Sequence, residues 1–155
     1  MLTLGSAVLA GDSTFNAHLK GATEVPVRST HATGNAVFKL SEDGTELSYR
    51  LIVANIDNVV QAHIHIGPPG VSGPVVAFLY GPAPAAGGRE SGVLSTGTIT
   101  AANLVGPLTG QPLSALVAQI DAGNAYVNVH TNNGIDPIDE GPGDFPGGEI
   151  RGPMK

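Results

Sequence analysis

His63 and His65 stand one residue apart inside an apolar run, Val59-Val-Gln-Ala-His-Ile-His-Ile66, and a third histidine, His130, closes a second such run, Ala125-Tyr-Val-Asn-Val-His130. The neutral imidazole is the commonest protein ligand of transition metals. If the first run is a strand, its period of two puts both rings on one face, with Cα atoms roughly 6.5–7 Å apart. Ring nitrogens at that spacing can converge on one ion at about 2 Å each. In the second run Val127 and Val129 would face a core, leaving Tyr126, Asn128 and His130 on the other side. His130 is then the natural third ligand, provided the two strands are neighbours. The chain has no cysteine, so a metal must be held by nitrogen and oxygen alone. Such a site suits copper or zinc, and the Irving–Williams order favours copper where copper is available. The competing reading makes these surface strand histidines, satisfied by water or nearby carboxylates.

A fourth metal position could be water, His18, His31 or a carboxylate; spacing places none of them, and His18 and His31 read as ordinary surface residues. Gln61 and Asn128 share strand faces with the three histidines and could orient them through hydrogen bonds. Glu149 and Arg151 flank Ile150 on one face of a short glycine-bounded strand, and read as a structural pair tying that strand to its neighbours. Asp136, Asp139, Glu140 and Asp144 crowd the stretch 131–147, which lacks the regular ligand spacing of calcium loops and reads as solvated. No Gly-x-Ser-x-Gly elbow and no phosphate-binding glycine motif occurs, so hydrolase chemistry has no support.

The elements that must carry these residues are short and apolar. Alternation marks strands at 15–19, 36–40, 47–53, 59–66, 75–80, 93–99, 125–130 and 148–152. Asp43-Gly44 between two of them signals a hairpin over 35–53. Gly67-Pro-Pro-Gly-Val-Ser-Gly-Pro74 cannot hold a ladder and forms a loop. One helix is expected where Leu113, Leu116, Val117 and Ile120 recur after Pro112, with Gly123 placed as its C-terminal cap. Its apolar face should cover an open end of the fold. The 22 glycines and 12 prolines are spread between the apolar runs, as in an all-β fold with many turns. The expectation is one antiparallel Greek-key sandwich of about seven to nine strands.

The bulk numbers agree. A chain of 155 residues with 41% hydrophobic and 13% charged residues builds a single core. Seven Lys and Arg against a net charge of −6 argue against nucleic acid and against anionic membranes. Residues 14–155 read as the domain. The segment Leu2-Thr-Leu-Gly-Ser-Ala-Val-Leu-Ala10 reads either as the remnant of a secretory signal or as a strand or tail, giving residues 1–13 no part in the domain. No run is long enough to insert the mature domain in a bilayer.

Several of these stretches together resemble the CHRD (chordin-type) domain. They are Phe15-Asn-Ala-His-Leu19, Glu24-Val-Pro26, Ala32-Thr-Gly34, Ala62-His-Ile-His-Ile-Gly67, Gly70, Gly73-Pro-Val-Val76, Ala125-Tyr-Val-Asn-Val-His-Thr131 and Gly147-Gly-Glu-Ile-Arg-Gly152. They run in the family's order from about residue 14 to residue 152. The resemblance implies an exported β-sandwich, periplasmic, secreted or at the cell surface, and a fold more than a function. The chain departs from the pattern at His31 and in an acidic insertion from Asn132 to Phe145. A looser analogy is Cu/Zn superoxide dismutase, which also uses a His-x-His strand on an antiparallel β fold. Three functions compete on this basis: a copper protein that stores, delivers or senses the ion, a copper redox enzyme, and a metal-free module that binds an extracellular protein partner.

Overall fold

A computed structural model describes residues 13–155; the expectation made for the first twelve residues lies outside the described part. Eight strands form one antiparallel sheet: β1 (Thr14–Lys20), β2 (Thr33–Leu40), β3 (Leu47–Asp57), β4 (Val59–Ile66), β5 (Val75–Tyr80), β6 (Arg89–Ile99), β7 (Ala125–Thr131) and β8 (Ile150–Pro153). Their order across the sheet is β5-β4-β7-β8-β1-β2-β3-β6. The expected all-β fold is thus present as a sandwich that nearly closes into a barrel.

Two four-stranded halves make up its walls. On one side they meet where β8 pairs with β1 at Lys20 and Arg151. On the other side β5 is joined to β6 and to the strand behind it by side chains: Ser95 Oγ of β6 donates to the Leu79 carbonyl at 2.6 Å, and Tyr49 Oη of β3 donates to the same oxygen at 2.8 Å. The chain passes from one half to the other at Asn58, whose φ of 57° turns it between β3 and β4. Its side-chain oxygen accepts from Gly88 N and its amide donates to Gly143 O, so the crossover is pinned from both flanks.

Inward-facing residues interdigitate in a single core that includes Phe38, Leu47, Leu51, Ile56, Ile64, Val127, Val129 and Ile150. The helix α1 (Leu113–Asp121) adds Leu113, Leu116 and Ile120 to it. Pro112 precedes the helix, and Gly123 at φ 75° donates its N–H to Ile120 O, the predicted start and stop. The β2–β3 hairpin turns at Gly44, φ 71°, with Asp43 accepting from Ser41 and Thr45.

The sixth strand differs from expectation by starting at Arg89, where the sequence reads as turn. Its pairing with β3 slips between Val53 and Ile56, and Gly92 sits there at φ 125°. A bulge thus lets the strand run through a glycine that otherwise signals a break. The last strand is also displaced: it starts at Ile150, and Glu149 lies just before it.

Candidate metal centre

Strands β4 and β7 are hydrogen-bonded neighbours, which fulfils the condition set by the sequence. Their register faces Gln61 with His130, His63 with Asn128 and His65 with Tyr126. Ala62, Ile64, Val127 and Val129 point into the core and are fully buried. The alternate positions therefore stand on the outer face of this wall. There the segments 21–32, 67–74 and 132–148 fold over much of that face, so its polar side chains are buried in their turn. His63 is 4% exposed and His65 8%.

His63, His65 and His130 each offer one ring nitrogen within 4.8 Å of the others. The ring centres lie 5.5 Å (63–65), 5.0 Å (63–130) and 6.0 Å (65–130) apart. His65 Nδ1 lies 2.9 Å from the Gly73 carbonyl, and His130 Nδ1 2.9 Å from the Pro146 carbonyl. A carbonyl only accepts, so both Nδ1 atoms carry the proton and both Nε2 atoms keep a lone pair. His63 Nδ1 lies 3.2 Å from His130 Nε2 and donates to it in the metal-free protein. The Nε2 atoms of His63 and His65 are then buried acceptors without a hydrogen-bond partner. Burying acceptors in this way is costly unless something occupies their lone pairs.

A metal ion fits that requirement. Nitrogens bound at about 2.0–2.1 Å with angles between square and trigonal stand about 2.8–3.6 Å apart; one ring nitrogen from each histidine lies within 4.8 Å of the others, so binding an ion draws them slightly inward. The rings are also in the right protonation state. Burial first, then the neighbouring rings, push His63 down to about 3, and burial pushes His65 down to about 4. Burial lowers His130 as well. All three are neutral at neutral pH and available as ligands.

Aromatic rings enclose the cluster. Phe78 on β5 meets His63 edge-on at 4.7 Å, and Tyr126 stacks on His65 at 4.9 Å with planes 6° apart. The Arg151 guanidinium lies 4.2 Å from the Tyr126 ring centre on β8, the next strand. Its Nε donates to Glu24 Oε2 at 3.1 Å, while its other nitrogens reach Ser72 Oγ at 3.0 Å and Val71 O at 3.4 Å. Arg151 thereby clamps the loop that supplies Gly73 O to His65; Tyr126 Oη accepts from Gly73 N at 2.9 Å.

The other candidates take different places. Glu149 and Arg151 do not bond to each other; two positions apart, they reach different partners. Arg151 pairs with Glu24, while Glu149 accepts from Thr30, from Thr131 and from Gly143 N. Asn128 donates to Glu24, and Gln61 is half-buried on the same face; neither bonds to a histidine, because backbone carbonyls do that work. His18 and His31 are exposed and, like every carboxylate among the described residues, lie outside the three-nitrogen cluster. The acidic insertion is more ordered than a solvated loop. Asp144 is buried and accepts from Asn133 N and Asp139 N, and Phe145 is buried under Arg28, whose guanidinium stands 4.8 Å from its ring centre. Asp136, Asp139 and Glu140 remain exposed, Glu140 3.3 Å from Arg28.

Glu24, Gly73 and Pro146 are the site residues that spacing alone does not reveal. Glu24 and Gly73 occur in the stretches that resemble the family; Pro146 sends no signal. The sequence matches the CHRD domain family over residues 15–154, and with nearly the whole chain covered, the protein belongs to that family. Comparison with curated proteins gives no significant match. Among the described residues no helix is long and apolar enough to cross a membrane. The protein is thus a CHRD-domain β protein in which three buried histidines are arranged so that they could bind a metal.

Proposed function

We propose that this domain binds one copper ion through His63, His65 and His130 and stores, delivers or senses it outside the cytoplasm. The observation that carries the reading is the pair of buried, unpartnered lone pairs on His63 and His65 beside His130. Copper is preferred to zinc because three imidazoles without thiolate rank copper first in affinity. The extracytoplasmic placement rests on the family, and would be checked by fractionating cells that express the full chain.

A carrier fits better than a redox enzyme. An enzyme on the same ion needs an open coordination position that substrate can reach, whereas two of these rings are almost fully enclosed. The test is metal analysis of protein stripped with chelator and reloaded with equal copper and zinc. One equivalent of copper is expected in the wild type and none in His63→Ala; a wild-type chain that takes up neither metal overturns the reading. Superoxide or peroxide turnover by the loaded protein, absent from His130→Ala, would replace the carrier with the enzyme.

A further inference from the structure

Building on the copper reading, we propose that the site is made for the cuprous ion, and that it holds Cu(I) more tightly than Cu(II).

Charge and burial carry the argument. Every donor in the cluster is a neutral imidazole, and no carboxylate or thiolate belongs to it. The complex therefore keeps the full charge of the ion, +1 for Cu(I) and +2 for Cu(II). The cost of taking an ion out of water grows with the square of its charge, so the divalent state pays about four times the penalty in the same cavity. The site is largely withdrawn from water: His63 and His65 are 4% and 8% exposed and His130 is half-buried, with Phe78 against His63 and Tyr126 stacked on His65.

Arg151 lies behind Tyr126, with its guanidinium 4.2 Å from that ring. Glu24 is salt-bridged to Arg151 and accepts from Asn128, so the two charges largely offset each other and neither belongs to the cluster as a ligand. Coordination number agrees: three nitrogens satisfy a trigonal monovalent ion, while Cu(II) prefers tetragonal sets of four or more.

The experiment is a pair of competition titrations on chelator-stripped full-length protein at pH 7. Cu(I) is titrated anaerobically against bicinchoninate, and Cu(II) against nitrilotriacetate. The expected result is binding of Cu(I) at least about 100-fold tighter than Cu(II), which raises the couple by about 118 mV over the aqueous one at 59 mV per tenfold change. A second arm uses Phe78→Asp. Phe78 is 47% exposed on an edge strand, so the variant folds, and it sets a carboxylate beside His63. Cu(II) affinity should rise by tenfold or more while Cu(I) affinity changes little. Equal or tighter Cu(II) binding in the wild type overturns this inference and leaves the copper site standing. Failure to bind either ion overturns both, and an unchanged ratio in Phe78→Asp removes charge as the cause of the preference.

Discussion

The Glu24–Arg151 pair shows how much of the site depends on residues that touch no ligand. Both side chains are buried, at 1% and 7% exposure, and Arg151 also holds Val71 and Ser72 in the loop beside His65. Burial raises the Glu24 carboxyl while Arg151 pulls it down, so the pair is best regarded as a joined unit. Glu24→Gln keeps the shape and removes the charge, stranding the guanidinium in a dry setting. Breaking a buried pair from one side costs about 3–5 kcal/mol, and the expected outcome is a lowered urea midpoint with unchanged m-value. Arg151→Lys should do little better, since a lysine cannot reach Glu24 and Ser72 together from one planar fork.

At the scale of elements, the loop between β4 and β5 is the most informative. A Cβ at Gly73 would lie 1.6 Å from Ile66 O, so Gly73→Ala forces the loop away and takes its carbonyl from His65 Nδ1. Copper affinity should fall by about 10–100-fold, the usual cost of losing the group that orients a metal-binding histidine. Gly70→Ala, at φ 81° with open space around it, strains the same loop without moving that carbonyl. It should leave copper affinity within about twofold; both are read by competition titration. This contrast also marks what was legible in the sequence. β4, β5 and α1 could be bounded from alternation, Pro112 and Gly123, because local signals fix them. The convergence of His63, His65 and His130 followed from period-two phase and needed only the pairing of β4 with β7. The partners Glu24 and Pro146 come from covering segments whose docking depends on long-range contacts, to which no periodicity points. Glu149 and Arg151 misled for a related reason: phase tells that two side chains share a face, not which neighbour each one turns to.

For the whole molecule, the buried imidazoles make acid the natural denaturant. An unfolded chain binds protons at its histidines near pH 6.5, whereas folded His63 and His65 resist protonation down to about 3 and about 4. The unfolded state thus holds more protons throughout that window, and stability rises with pH there. Their contribution is complete above pH 6.5 and is lost as pH falls toward 4, by up to about 1.4 kcal/mol per unit for each ring. Glu24 works in the opposite sense at the acid end, because its raised pKa lets the folded state hold a proton longer. Denaturation midpoints measured at pH 7.5, 6.0 and 5.0 should fall steadily for the metal-free protein. His63→Ala, which removes one of the two strongly displaced rings, should fall less. A bound ion adds to the folded side by mass action, about 2.7 kcal/mol at a free concentration 100 times Kd. Chelation should therefore lower the melting temperature of the loaded protein and leave the stripped protein unaffected.

Where β5 meets β6 the wall is fastened by two hydroxyl groups sharing one carbonyl, that of Leu79, and this makes a latch of Tyr49 and Ser95. Tyr49→Phe combined with Ser95→Ala would release it at small cost to the core. Each freed border would then present unpaired peptide groups to solvent, the template on which a second chain can add strands. The doubly substituted protein should leave a sizing column as dimers and larger species, while β5 keeps its ladder to β4 and so holds Phe78 in place over His63.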